Sequence, residues 1–329
     1  MRLRAGIIGA GGIAWRYDGG AWNEKNPSIT LASCLDRHPE TQLVAVFDPI
    51  AEARQAFDRG YQGPRPVELF EHIGNFLNQD LDLVAIASPS EYHASHIEAC
   101  FEASVPRLWI EKPVTLHMDD FWRIREHYRS MESQPRTCVN YQRRCLPQVK
   151  YMKDYIAQSP DSPEAMAISI TYSRQLEVNG VHLLDLLGYI TDAQEAPSLD
   201  FIRSPDLANP QFGLTLKGHP VTITGHDLPY HLIEISITDR QGRLSLVRGA
   251  TELIWECAEP NPDYPGFFRI AHPQSTDIHV KHADSLQEST YQMLCALIDN
   301  SVPSPSTIES AWFAQTLLDR VKQAGTPHR

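Results

Sequence analysis

An apolar run over residues 3–8 passes directly into Gly9-Ala10-Gly11-Gly12-Ile13-Ala14, a G-x-G-x-x-A turn. Such a turn works by lacking side chains. Gly9 permits the tight reversal, Gly11 lets the backbone approach a pyrophosphate, and Ala14 lets the following helix pack closely on the strand. Gly12 and Ile13 complete the phosphate-facing segment at the helix start. Asp48, at the end of an apolar run over 43–47, stands where an acid would bind the ribose hydroxyls of a dinucleotide. It equally suits an Asp-Pro turn, since Pro49 follows. Asp48 lies farther from Ala14 than the usual interval of about 20 residues. The surplus, residues 15–28 with Asp18-Gly19-Gly20 and Asn26-Pro27, reads as a loop inserted beside the cofactor.

Further groups follow later apolar runs. Ser88-Pro89-Ser90-Glu91-Tyr92-His93 follows the third and Glu111-Lys112-Pro113 the fourth. In an open α/β sheet the ligand crevice lies beyond the carboxyl ends of the strands, so Ser88, Pro89, His93, Glu111 and Lys112 fall where a cofactor is expected. Arg143 and Arg144 have the planar guanidinium geometry that suits a carboxylate or diphosphate, or else an interdomain ion pair or solvent. In Gly180-Val181-His182-Leu183-Leu184-Asp185 the histidine and the acid lie three apart on one helical face. Asp185 can therefore orient the His182 imidazole, or His182 can pack the helix while Asp185 makes a structural hydrogen bond. Tyr172 and His226 are pocket candidates by their place at strand ends.

The elements that must carry these groups are legible from periodicity. Strands are predicted over 3–8, 43–47, 83–87, 108–110 and 137–139, alternating with helices over 50–59, 66–77, 92–103 and 118–131, the order of βαβ units on a parallel sheet. After about residue 145 the pattern changes to alternating segments at 165–173, 213–217, 221–224, 232–238, 244–247 and 251–256. Helices are predicted at 181–189, 285–299 and 307–324, and residues 260–274 read as a surface loop. The fold class is thus α/β: an N-terminal Rossmann doubly wound parallel sheet plus a C-terminal α+β domain with an open antiparallel sheet. At 329 residues the chain exceeds the ~250–300 over which one core usually grows. The expected division is 1–140 for dinucleotide binding and 141–329 for substrate and oligomerisation, with the last helix packing back on the first domain.

Hydrophobic residues make up 42% and charged residues 21%, ordinary globular usage, and no apolar run reaches the ~20 residues of a spanning helix. Four glycines interrupt the apolar N-terminus, which argues against a signal peptide. A net charge of −12 argues against a nucleic-acid or anionic-membrane partner. The six cysteines form no C-x-x-C pair, which points to a reducing, cytoplasmic compartment. There is no H-E-x-x-H and no zinc-type Cys/His spacing, so no metal is expected.

Taken in order, Gly9-x-Gly11-x-x-Ala14, Pro89 with His93, Glu111-Lys112-Pro113 and Gly180-x-His182-x-x-Asp185 resemble the Gfo/Idh/MocA family of glucose–fructose and inositol-type oxidoreductases, across essentially the whole chain. Val139-Asn140-Tyr141-Gln142-Arg143-Arg144 and Val178-Asn179-Gly180 look like a branch linked with surface-polysaccharide and nucleotide-sugar metabolism. The resemblance implies that Lys112 and His182 stand beside the nicotinamide and the substrate carbon. With the candidates named above, Tyr141, Arg143, Arg144, Tyr172, Asn179, His182 and Asp185 are the residues expected to face a sugar-like substrate. The implied cofactor is NAD rather than NADP, because the Asp48 carboxylate repels a 2′-phosphate. Separately, the open sheet of the second domain is expected to leave one apolar face uncovered, which marks an interface and predicts a homodimer or homotetramer. Many members carry an acid four residues before the histidine, where this chain has Val178. Either Lys112 with His182 suffices, or Glu177 or Asn179 compensates, or catalysis is weakened. Several relatives are cofactor-binding regulators, so a non-catalytic dinucleotide sensor is the alternative.

Overall fold

The computed structural model describes residues 2–18, 28, 30–203, 208–271 and 286–325. Part of the loop predicted at 15–28, the end of that at 260–274 and the first residue of the helix at 285–299 lie outside the described residues. Two compact units emerge: Met1–Gln142 with Leu286–Ala311, and Arg143–Ser285 with Trp312–Arg329.

The first unit runs β1 (Leu3–Ile8), α1 (Leu31–Arg37), β2 (Thr41–Phe47), α2 (Ala51–Gly60), β3 (Glu68–Phe70), α3 (Ile73–Leu77), β4 (Leu83–Ile86), α4 (His93–Glu102), β5 (Arg107–Ile110), α5 (Met118–Ser130) and β6 (Arg136–Val139). Its six strands pair in parallel in the order β3-β2-β1-β4-β5-β6. Successive residues of β1 and β4 are buried without alternation, as on a sheet covered on both faces. The stretch 66–77, predicted as one helix, divides into β3 and α3. Val46 and Phe47 of β2 accept Leu69 and Phe70 as strand partners, and that pairing outweighs helical periodicity over so short a segment.

The second unit holds α6 (Pro147–Gln158), β7 (Ala167–Ser173), α7 (Val181–Ile190), β8 (Leu199–Arg203), β9 (Gln211–Leu216), β10 (His219–His226), β11 (Ile233–Thr238), β12 (Gly242–Val247), β13 (Glu252–Pro260) and β14 (Phe268–Ile270). The eight-stranded sheet has the order β14-β13-β12-β11-β7-β10-β9-β8 and is antiparallel except between β7 and β10, which run parallel. Its one open face is not apolar: Ala167, Ser169 and Thr171 of β7 align with Thr222 and Thr224 of β10 and with Glu234, Ser236 and Thr238 of β11. Exposed aromatics instead gather on the β13–β14 hairpin, at Tyr264, Phe267 and Phe268.

The helix α8 (Leu286–Ile298) is grouped with the first unit, whereas the sequence suggests only the last helix as packing back on the first domain. It packs on β5, β6 and α1, and the segment after it seals the free edge of β6. The Val139 N–H donates to Ser306 O, Ser304 Oγ donates to Thr137 O, and Arg136 Nη2 donates to Ala296 O at 2.7 Å. The following α9 (Ile308–Gly325) begins in the first unit and continues in the second, where Gly188 of α7 leaves room for the Phe313 ring.

Candidate active site

The site of the first unit begins at the turn after β1. Gly9 has φ +97°, and a Cβ there would lie 2.7 Å from Ser88 N and 2.8 Å from Ala87 O, so only glycine lets the turn pass against the end of β4. Gly11 has no neighbour within 4 Å of a Cβ position, so its backbone faces open space. Beneath the turn, Trp15 Nε1 donates to Ala10 O at 3.0 Å, and the indole meets Phe57 edge to face. Residues Gly12–Arg16 form one π-helical turn and α1 begins only at Leu31, so the long first helix expected behind a glycine turn is interrupted.

A cleft of about 600 Å³ lies over this turn, within the range of ligand pockets (about 300–1,000 Å³). Gly9, Ala10, Gly11, Gly12 and Ile13 line it, together with Asp48, Ser88 and Pro89. Ala14 is buried beneath, against the sheet. Asp48 is held rigidly, with Oδ2 accepting from Ala10 N at 2.8 Å and Oδ1 from Ile50 N at 2.9 Å. The acid thus braces the glycine turn and keeps its remaining lone pairs at the cleft wall. A dinucleotide fits what is present: a side-chain-free approach at Gly11, backbone amides around it and a fixed carboxylate at the end of β2.

Among the wall residues not predicted from the sequence are Arg16, Tyr17 and His96. Tyr17 lies over Gly12, where a Cβ would meet its ring at 2.6 Å. His96 Nδ1 is 2.8 Å from Ser88 Oγ. Burial, followed by the neighbouring His93, lowers its pKa to about 4, so it is neutral near pH 7. The available signal was the three-residue spacing from His93, which puts both histidines on one face of α4.

His93 itself is buried and does not line the cleft. Its ring nitrogens lie 2.9 Å from Pro113 O and 2.8 Å from Ser88 O, tying the loop after β4 to the Glu-Lys-Pro loop after β5. Burial lowers its pKa against the pull of those carbonyls. Glu111 is likewise a brace: Oε1 accepts from Asn140 Nδ2 at 2.5 Å and Oε2 from Lys112 N at 3.3 Å, and burial raises its pKa. These two residues fix the segment that carries Lys112, which is half-buried and whose peptide bond to Pro113 is cis. Tyr141, next to Asn140, is buried.

In the second unit, β7 ends at Ser173 and a π-helical turn, Gln175–Gly180, leads into α7. Gly180 lets that turn press on Tyr172, whose ring lies 3.1 Å from a Cβ position there. Tyr172 is fully buried and so forms part of the core rather than a pocket wall. His226 is exposed at the end of β10. His182 and Asp185 are both buried on α7, but the acid does not orient the histidine. Arg144 Nε donates to Asp185 Oδ2 at 2.8 Å and Nη2 to Oδ1 at 2.6 Å, so both carboxylate oxygens are committed to a buried fork. Neither residue flanking Val178 replaces the usual acid. Glu177 pairs with Lys322, while Asn179 Nδ2 donates to Ser173 O at 2.9 Å and lies 3.1 Å from His231 Nδ1. Val178 is half exposed. Among the described residues no cluster of His, Cys, Asp and Glu is arranged to hold a metal, and no helix is long and apolar enough to cross a membrane.

Residues 3–141 match the family described as "Oxidoreductase family, NAD-binding Rossmann fold", Gfo/Idh/MocA. No curated protein matches in sequence. Among solved structures, the chain is similar to the WlbA dehydrogenase from Bordetella pertussis, in complex with NADH and UDP-GlcNAcA, with TM-score 0.74 and 16% identity over 99% of this chain and 97% of that one. The myo-inositol dehydrogenase from Lactobacillus casei, in complex with NAD(H) and myo-inositol, gives 0.72 and 14% over 100% and 96%. The transcriptional regulator Gal80p from Kluyveromyces lactis gives 0.71 and 14% over 99% and 90%. Over residues 3–141 the chain is similar to that NAD-binding family, and the first unit displays its Rossmann fold.

Proposed function

We propose that the protein transfers hydride between NAD and a hydroxyl or carbonyl carbon of a sugar or nucleotide-sugar-like substrate. The observation that carries this reading is the first unit's cleft, a glycine turn braced by Asp48, joined through the His93 and Glu111 brackets to the segment bearing Lys112. Bound nicotinamide would supply the hydride acceptor or donor. The chain's own part is acid–base: an alcohol losing hydride must also lose its hydroxyl proton, and positive charge steadies the developing alkoxide. Lys112 and His182 are assigned those tasks, following the family resemblance of their motifs. Substrates bound by similar proteins, UDP-GlcNAcA and myo-inositol, set the first compounds to try. The compartment is proposed to be the cytoplasm, with the chain working as a homodimer or homotetramer.

The test is NADH formation with UDP-sugars, sugar acids and inositols. Lys112→Ala and His182→Ala should each lower turnover by about 10²–10⁴ while NADH binding is kept. Wild-type rates in both variants would defeat the assignment. A second reading, a dinucleotide sensor without turnover, is favoured by Val178 in the place of the usual acid and by the likeness to Gal80p. NADH binding with no turnover of any tested compound would favour it.

A further inference from the structure

The helix that ordinarily follows the glycine turn of a dinucleotide site is cut short here. Behind Gly11 the chain makes a single π-helical turn of five residues, Gly12–Arg16, capped at Tyr17. At about 1.5 Å per residue, the negative end of that turn lies within roughly 8 Å of its positive end, so the two fields largely cancel at a bound phosphate. The turn's amides are also partly spent. Gly9 N donates to Phe47 O at 2.7 Å and Ala10 N to Asp48 Oδ2 at 2.8 Å, so the donors left for a ligand start at Gly11. Asp48 adds negative charge to the same cleft, and the whole chain carries −12. A diphosphate in this cleft needs a counter-charge that the main chain does not supply.

Two side chains stand where that charge is missing. Arg16, exposed at the end of the π-helical turn, lines the cleft. Its Cζ lies 5.8 Å from the ring centroid of Trp15, whose buried indole donates to Ala10 O, so the arginine leans on the support of the glycine turn itself. It pairs with no carboxylate among the described residues, and among the described residues lining the cleft it is the one permanent cation. Tyr17 is given room on purpose. Gly12 has no positive φ to accommodate, yet a Cβ there would lie 2.6 Å from Tyr17 Cζ and 2.8 Å from its hydroxyl oxygen. The ring is 68% exposed, so burial does not explain its seat against the turn. What the seat does achieve is a hydroxyl held at the wall of the cleft, beside Gly12.

We propose that Arg16 and the Tyr17 hydroxyl hold the diphosphate of the bound dinucleotide, doing with side chains what a long helix start does with its peptide dipoles. The proposal rests on NAD binding in this cleft and not on hydride transfer, so a chain that binds the cofactor without turnover leaves it standing. Charge-assisted hydrogen bonds from a guanidinium to a phosphate contribute about ten- to hundredfold in affinity.

The experiment is fluorescence titration of the full chain with NADH and NADPH, and competition of bound NADH by ADP-ribose and by adenosine, in the wild type and in Arg16→Gln, Arg16→Lys and Tyr17→Phe. Both positions are exposed, so urea unfolding should be the same in all four. Arg16→Gln should weaken NADH and ADP-ribose at least tenfold and leave adenosine, which has no phosphate, unchanged. Arg16→Lys should recover part of the loss through its charge, and Tyr17→Phe should weaken the two diphosphate ligands severalfold. A smaller loss in Arg16→Gln, an equal loss for adenosine, no recovery in Arg16→Lys, full affinity in Tyr17→Phe or a loss confined to NADPH overturns the proposal. Failure of NADH and ADP-ribose to bind the wild type would remove the dinucleotide reading of the cleft together with it, whereas binding without turnover would remove the hydride-transfer reading alone.

Discussion

Asp185→Ala is the substitution at which structure and motif make different forecasts. By motif, the acid serves His182, and its loss should impair turnover with little effect on the fold. By geometry, it serves Arg144: Asp185 is 1% exposed, Arg144 6%, and two hydrogen bonds of 2.8 and 2.6 Å join them. Removing the carboxylate strands the guanidinium in the interior, at a cost of about 3–5 kcal/mol. Replacing both partners with apolar residues of similar volume, Arg144→Met with Asp185→Leu, strands nothing and should restore most of the loss. Amide hydrogen exchange read on peptides from α7 is the suitable assay, because it reports the stability of that region without assuming a two-state chain. The single substitution should cut α7 protection by roughly two to three and a half orders of magnitude, and the double should recover most of it. Wild-type protection in Asp185→Ala with a collapse in turnover would refute the structural assignment. So would a double variant as labile as the single.

The remaining expectations can be checked separately. Gly9→Ala forces a Cβ onto the backbone at the end of β4 and should destabilise the first unit by about 1–3 kcal/mol; Gly11→Ala meets no atom and should leave urea unfolding unchanged while lowering NADH affinity at least tenfold, and equal behaviour of the two would contradict the turn's reading. Fluorescence titration should find NADH bound more tightly than NADPH, with Asp48→Ser narrowing the gap; tighter NADPH binding would pass control of selectivity to a cation such as Arg16. Asp36, next to Tyr61, has its pKa raised from 3.8 to about 6, chiefly by burial. The fold therefore favours the neutral acid: its contribution is complete below about pH 4 and declines through pH 6, by at most about 3 kcal/mol, and Asp36→Asn should remove that part of the pH dependence of urea unfolding. Sedimentation should show a dimer or tetramer at micromolar concentration, and replacing Phe267 and Phe268 with Ser tests whether the aromatic hairpin contributes to it.

The parts of this molecule that repeat along the sequence were readable in it. β1, β2, β4, β5 and β6 announce themselves as apolar runs because both faces of a parallel sheet are covered, and the glycine turn announces itself because backbone approach excludes side chains. What depends on distant partners was not readable. β3 exists because β2 offers an edge, and β14 because β13 does. Among residues assigned to the cofactor but placed elsewhere, His93 and Glu111 are polar groups with partners 20 and 29 positions away, so spacing could not separate a brace from a ligand. The same holds for Asp185, whose partner Arg144 is remote in sequence while His182 is near. The open sheet face was expected to be apolar because no helix covers it, but the outward positions aligned across β7, β10 and β11 are Ser, Thr and Glu with a single Ala.

The return of residues 286–311 to the first unit bears on how the chain can be made. During synthesis, β6 is the last strand of its sheet to emerge, yet the carbonyl that caps Val139 belongs to Ser306, beyond the Arg143–Ser285 segment of the second unit. At about 5–20 residues per second, the ribosome needs roughly 8–33 s to bridge that interval. Throughout it, β6 presents an unpaired edge of the kind that recruits other strands. A nascent chain therefore has an interval of vulnerability set by the length of its second unit. No single cut yields a self-sufficient nucleotide-binding half: stopping after residue 142 leaves that edge permanently bare.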